Sequence, residues 1–374
     1  MTNIKENPRY LKEQLITYIG NKRTLIPYIE EEVNLIKSNL NKDKLNTVDL
    51  FSGSGAVARM LKAHSNKIIV NDLEGYSKII NECYLSNKCE FDIDKYNNYL
   101  KELNILLEEG ELNYPLISKH FAPKDDKNIQ IGERVIYTTE NAKRIDIIRE
   151  FINTVEEDYK KYFLAQLLYK ASVHTNTSGI FKGFYKDKET GIGKYGGSGE
   201  NALNRIKSTI SIDTPILSNF EVDYEVYQKD ANELVKELGK EVFDLVYLDP
   251  PYNQHPYSSN YFMLNTIVNQ SVDIEKLSVV SGIPSDWNRS KYNKKKEALD
   301  TFNDLISNIK AHYILVSYNS EGFISFEDMK NTLSNYGTVE VKEINYNTYR
   351  GSRNLKNRNK YVTEYIFKLK KNIF

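Results

Sequence analysis

The sequence predicts an α/β protein built on a parallel sheet and interrupted in mid-chain by a mostly helical insertion. Three observations carry this. A strand, a glycine turn, a helix and a second strand follow one another between residues 46 and 72. Much later an apolar run stops abruptly at Asp249-Pro250-Pro251-Tyr252. Between them the patterning turns helical and then glycine-rich, over about a hundred residues, and an insertion of that size is usually functional.

Residues 46–51 form a short apolar run that closes on Ser52-Gly53-Ser54-Gly55, after which Val57, Met60 and Leu61 share one helical face. Residues 67–71 make a second run through Ile68, Ile69 and Val70 and end at Asp72. Such a βαβ unit requires parallel neighbours. Residues 242–248 and 313–316 are further buried-strand candidates, the latter leading into Ser317-Tyr318-Asn319, and 339–346 and 361–369 alternate like paired strands. Within 142–172, two helical stretches gather Ile145, Ile148 and Phe151, then Phe163, Leu167 and Leu168. Residues 174–200 carry seven glycines with Lys182, Lys186, Lys188 and Lys194, which excludes a helix and predicts a hairpin or ordered loop. The sheet domain is thus expected from 1–105 and 221–374, with 106–220 inserted.

Bulk properties mostly exclude. Fifty-one basic residues balance 51 acidic ones, so a polyanion partner would have to be met by local patches. No basic segment followed by an apolar run opens the chain, and no stretch approaches the roughly 18 apolar residues of a membrane span. Cys83 and Cys89 lack a partnering histidine cluster, which suits a reducing compartment and neither a metal site nor a disulfide framework. A cytoplasmic protein without metal or membrane attachment is the expectation.

The chemistry concentrates in two motifs. In Asp249-Pro250-Pro251-Tyr252 the prolines end the strand and stiffen the backbone, fixing the Asp249 carboxylate and the Pro250 carbonyl. Two adjacent acceptors followed by an aromatic ring suit a flat base with an amino group: the acceptors take its two hydrogens and Tyr252 covers its face. In Asp49-Leu50-Phe51-Ser52-Gly53-Ser54-Gly55 the glycines let a ligand approach the backbone, and Asp72, about twenty positions on, suits the two hydroxyls of a ribose. The third glycine of the dinucleotide fingerprint is missing, which disfavours a nicotinamide enzyme.

Together with Tyr18-Ile19-Gly20-Asn21-Lys22, Asn71-Asp72 and Tyr137-Thr138-Thr139-Glu140-Asn141-Ala142, these motifs stand in the order seen in a known family. So do Ser317-Tyr318-Asn319 and Tyr349-Arg350-Gly351-Ser352. The chain resembles the Dam-type (alpha-group) adenine-N6 DNA methyltransferases over nearly its whole length. The resemblance implies a Rossmann-like, S-adenosyl-L-methionine-dependent catalytic sheet with a mostly helical target-recognition domain inserted at 106–220. It implies that Tyr18, Lys22, Asp49, Phe51, Gly53 and Asp72 bind S-adenosyl-L-methionine, Lys22 taking the methionine carboxylate. Asp230 would hold the cofactor's adenine amino group, or else serve only as a helix N-cap. Asp249, Pro250 and Tyr252 would be catalytic, acting on an adenine flipped out of double-stranded DNA. This requires Asp249 to lie beside the glycine turn and to be free of a salt bridge.

DNA contacts are expected from Lys182 and Lys194 in the glycine-rich segment, the base-reading candidate, and from Arg350, Arg353, Lys356, Arg358 and Lys360. A second basic run holds Arg289, Lys291, Lys294, Lys295 and Lys296. The resemblance further implies a monomer or weak dimer, with a cognate restriction endonuclease as functional partner. The same motif logic also fits a cytosine N4 amino group, an adenine in RNA, or a DNA-binding module that has lost activity.

Overall fold

The computed structural model describes residues 4–197, 202–347 and 361–372. Its strands are β1 (Leu45–Asp49), β2 (Ser65–Asp72), β3 (Asp223–Gln228), β4 (Phe243–Leu248), β5 (Ala311–Asn319), β6 (Gly337–Asn347) and β7 (Tyr361–Lys371). They form one seven-stranded sheet in the order β3-β2-β1-β4-β5-β7-β6. The first five strands run parallel, while β7 enters antiparallel to β5 and pairs with β6 as a hairpin. This is a Rossmann-like α/β sheet, with the parallel core and terminal strand pair that the sequence predicts.

Both sheet faces are covered, so the central strands read as continuous apolar runs. Every residue of β4 is buried. Leu245 and Tyr247 face a layer that contains the helix Ile26–Leu40, whereas Val246 and Leu248 face the helices Ala231–Leu238 and Ala298–Asn308. The one acid within β4, Asp244, is neutralised where it sits. Its oxygens accept from Lys42 Nζ at 2.7 Å and from the Asn46 amide at 2.9 Å.

β3 lies outside the expected strands. As the edge strand it bonds only to β2, its side chains are half-buried or exposed, and Asp223 and Glu225 dilute its apolar signal.

The insertion packs on the sheet domain through shared helices. Thr139–Thr154 and Glu157–Val173 form the two expected stretches, and the six apolar residues named above are all buried. They join Gly75–Leu85 and Ile93–Glu109 in one apolar cluster, in which the rings of Tyr96 and Phe163 stack at 4.4 Å. The Ile93–Glu109 helix runs through position 105, so the cluster extends to both sides of it. Thr138 caps Thr139–Thr154, accepting from the Asn141 amide, and the Asn141 side chain holds the chain at Ile206, Ser208 and Ile210. The glycine-rich segment forms a hairpin with an antiparallel bridge between Lys186 and Gly193. Asn176 ties its two arms, donating to the carbonyls of Val135 and Lys194 and accepting from the Gly196 amide. Among the described residues no helix is long and apolar enough to cross a membrane.

Candidate active site

The chain proceeds from β1 outward to β3, then returns to place β4 on the other side of β1. In open α/β sheets, ligands bind where strand order reverses, beyond the carboxyl ends of the strands. Asp49 ends β1 opposite Tyr247 of β4, so the glycine turn and Asp249 emerge side by side. A cleft opens there. Its wall includes Tyr18, Lys22, Asp49, Phe51, Gly53, Asp72, Asp230 and Asp249. Residues drawn from five stretches of sequence therefore share one cavity.

Local geometry explains the turn. Gly53 has φ of 51°, and a Cβ there would come within 2.9 Å of the Tyr18 ring, so both conformation and space call for glycine. Its amide donates to Asp72 Oδ2 at 2.8 Å, and the Glu74 amide donates to Oδ1 at 3.0 Å. Asn71, buried at the β2 tip, donates to the carbonyls of Leu50 and Lys229 and accepts from the Lys229 amide. One amide side chain thereby sets the turn after β1 and the link that carries Asp230. Asp230 caps Ala231–Leu238, Oδ1 accepting from the Asn232 and Glu233 amides, and Oδ2 takes part in neither bond. The capping role and a place in the cleft wall are both observed.

Tyr18 joins a cluster of three near-parallel rings. Tyr257 stacks on it at 5.0 Å and Tyr261 at 4.7 Å, while the Ile19 amide donates to the Tyr261 hydroxyl. The loop 18–22 is thus fastened to the helices that follow Tyr252. Sequence reasoning missed this connection. It also missed the far wall, where Asn288, Ser290, Tyr292 and Asn293 enter the cleft while Arg289, Lys291, Lys294, Lys295 and Lys296 stay exposed or at the rim.

The carboxylates differ in their electrostatics. Asp49 is fully buried, and neither of its oxygens has a hydrogen-bond partner among the described residues. Burial and the nearby Asp249 hold its pKa well above the usual range, with the Phe51 amide acting the other way. Burial also raises Asp72, against the pull of surrounding amides. Glu74 is pushed up to about 8 by burial and then by Asp72, opposed by the Asn265 amide. Asp249 rises to about 6, chiefly through burial, with Lys22 lowering it and Glu364 raising it.

Two expectations need correcting. Asp249 is engaged in a salt bridge: Lys22 Nζ lies 3.0 Å from its Oδ1. The same ammonium lies 2.5 Å from Glu364 Oε1, so Lys22 is held by two carboxylates of the chain itself rather than left for a methionine carboxylate. Burial makes an unpaired ammonium costly, and these partners compensate it. Oδ2 of Asp249 has no partner among the described residues, and the side chain keeps 20% exposure. Pro250 is buried behind it, and Pro251 rather than Pro250 contributes to the wall. Tyr252 is half-buried against the β4–β5 layer, its carbonyl accepting from the Phe323 amide.

The expected DNA contacts lie further out. Lys194 is exposed and 3.8 Å from Asp187 in the hairpin. Lys182 is half-buried; burial and then Lys182 lower the pKa of His255, in the loop just after Tyr252. Its neighbour Phe181 donates its amide to the Asn260 carbonyl at 2.8 Å, which docks the hairpin beside the cleft. Arg350, Arg353, Lys356, Arg358 and Lys360 fall outside the described residues.

Comparison with known proteins adds to this geometry. The family described as D12 class N6 adenine-specific DNA methyltransferase matches residues 18–332. The chain is 30% identical to Type II methyltransferase M.NlaIII of Neisseria lactamica, over 92% of this chain and 95% of that protein. It is 30% identical to Type II methyltransferase M.CviAII of Paramecium bursaria Chlorella virus 1, over 94% and 97%. Against Type II methyltransferase M.FokI of Planomicrobium okeanokoites it is 30% identical over 95% of its length, which spans about half (53%) of that longer protein.

Proposed function

Because the chain belongs to the D12 class N6 adenine-specific DNA methyltransferases, enzymes of site-specific adenine methylation in restriction-modification, we propose how its cleft carries out that reaction. The reading rests on one observation: the Asp249 carboxylate and the glycine turn share a cleft at the point where strand order reverses.

S-adenosyl-L-methionine is the methyl donor in this reading. When bound, it supplies a methyl group activated by a positively charged sulfur, which departs with the C–S electron pair as the adenine amino nitrogen takes the methyl. The donor set fits such a cation. Five carboxylates (Asp49, Asp72, Glu74, Asp230 and Asp249) line the cleft with two lysines, one of them already neutralised. Asp49, buried and unpartnered, suits the ammonium of the methionine part. Asp72 suits the ribose hydroxyls and Asp230 the adenine amino group, with Tyr18, Phe51 and Gly53 shaping the surface between them.

The target adenine leaves the base stack, since its amino nitrogen is otherwise sealed in a base pair. Asp249 Oδ2 and the Pro250 carbonyl accept its two N–H groups, which frees the nitrogen lone pair for in-line attack, and Tyr252 covers the ring. The methylated nitrogen then gives up one proton to solvent. The protein's contribution is chiefly orientation, worth several kcal/mol.

Double-stranded DNA is the substrate, approached by a monomer or weak dimer that works alongside a cognate endonuclease. Phosphates run along the exposed ridge from Arg289 to Lys296 and along Arg350, Arg353 and Arg358, while the hairpin with Lys182 and Lys194 in the 106–220 recognition domain reads bases. Digesting DNA methylated with a labelled donor tests the reading. All label should appear in N6-methyladenine, and label in N4-methylcytosine would overturn it.

A further inference from the structure

Glu364 belongs to none of the motifs, yet it sits behind the catalytic carboxylate. Its position follows from sheet register: β7 runs antiparallel to β5, and Glu364 pairs directly with Asn319 at the end of β5. There Asn319 Nδ2 donates to Glu364 Oε2 at 3.2 Å, while Oε1 faces Lys22 Nζ at 2.5 Å. Lys22 in turn reaches Asp249 Oδ1 at 3.0 Å. The result is a chain of four side chains running from β5 through β7 and the N-terminal loop to the tip of β4. Glu364 is only 2% exposed and Lys22 only 7%.

Stability alone does not account for this arrangement. Buried ion pairs gain little over apolar residues of the same size, because desolvation offsets their attraction. A lysine bound to Asp249 alone would also neutralise the acceptor that the amino group needs. Shared between two carboxylates, Lys22 leaves the cluster one negative charge in excess.

We propose that Glu364 is a positioning residue: through Lys22 it fixes Asp249 Oδ1, turns Oδ2 toward the target amino group, and keeps that oxygen a strong acceptor. This rests on the reading of Asp249 as the amino-group acceptor. The other groups facing Asp249 are the carboxylates of Asp49 and Asp72 at the β1 and β2 tips and the phenols of Tyr247 and Tyr257. None of them bridges to Lys22 as Glu364 does.

The test is the pH profile of kcat for methyl transfer to duplex DNA, with the dissociation constant of S-adenosyl-L-methionine measured in parallel. Glu364→Gln keeps the shape and removes the charge. With that negative charge gone, the ionised form of Asp249 is favoured, so the acidic limb should move about one pH unit lower. The plateau should fall several-fold while cofactor affinity stays within about twofold. Lys22→Gln should move the limb the opposite way, because Asp249 would then face Glu364 without a cation between them. A Glu364→Gln limb that stays at the wild-type pH, or a loss of cofactor binding equal to the loss of activity, overturns the proposal. Should Glu364→Gln not fold, a Lys22→Gln limb no higher than wild type overturns it as well. Wild-type protein that labels no adenine at any pH would instead refute the parent reading.

Discussion

Asp49 at the tip of β1 and Asp249 just beyond the tip of β4 stand on neighbouring strands of one crevice, in opposite surroundings. Asp49 is sealed from solvent with both oxygens unpartnered among the described residues. Asp249 keeps 20% exposure, and a lysine holds one of its oxygens. An unsatisfied buried polar group costs roughly 1–3 kcal/mol, and more when charged. A protein with a typical margin of about 5–15 kcal/mol does not carry that cost for stability. In the proposed reading Asp49 takes the cationic end of the cofactor, whereas Asp249 offers one oxygen to the target amino group while Lys22 holds the other. On that reading the same residue type at adjacent strand tips serves binding in one case and reaction geometry in the other.

Substitutions should separate the two. Asp249→Ala should lower methyl transfer on the order of 10²–10³-fold or more while leaving folding and cofactor affinity near wild type. Near-normal transfer by that variant would erase the distinction. Asp49→Asn should do the reverse, weakening S-adenosyl-L-methionine about ten- to a hundredfold in equilibrium binding, with kcat at saturating cofactor little changed. It should change the thermal midpoint little, since the side chain keeps its shape and loses only a buried acid. Unaltered cofactor affinity would show that Asp49 does not take the cofactor's cationic end.

pH sharpens the contrast further. Ionised Asp249 is a much stronger acceptor than its protonated form, and its pKa is raised to about 6. Transfer should hold above that value and decline about tenfold per unit below it. A wild-type profile flat down to about pH 4.5, near the ordinary carboxylate range, would mean that this carboxylate does not limit the reaction. The smallest effect concerns the rim. Neutralising Lys294, Lys295 and Lys296 together should flatten the logarithmic salt dependence of DNA binding by about 0.9 for each phosphate that these lysines cease to neutralise, with kcat at saturating DNA preserved. An unchanged slope would remove that ridge from the DNA path.

Legibility in the sequence followed how local each constraint was. The turn after β1 and the end of β4 were readable because glycine and proline act on their own backbone. Gly53 needs its positive φ wherever it occurs, and Pro250 and Pro251 end a strand without help from neighbours. The insertion helices were readable from the spacing of Ile145, Ile148 and Phe151. β3 was not, because an edge strand exposed on one side tolerates Asp223 and Glu225 and so loses its apolar signature. Glu364 was hidden for a different reason. It meets Lys22 across 342 residues of sequence, through the register of β5 with β7, and nothing in Thr363-Glu364-Tyr365 announces that meeting. Lys22 was recognised as a site residue, but its contacts with Asp249 and Glu364 were not, since its motif reveals its location and not which anion reaches it. The basic run at 289–296 was visible as charge, while the inward turn of Tyr292 and Asn293 between its lysines was not.

The most direct test is a structure of the protein with duplex DNA and a non-reactive analogue of S-adenosyl-L-methionine. One adenine should lie outside the helix, its amino nitrogen about 3 Å from both Asp249 Oδ2 and the Pro250 carbonyl, with Lys22 still on Oδ1. An adenine left stacked in the duplex, or an extruded base whose amino group points away from Asp249, would contradict the account.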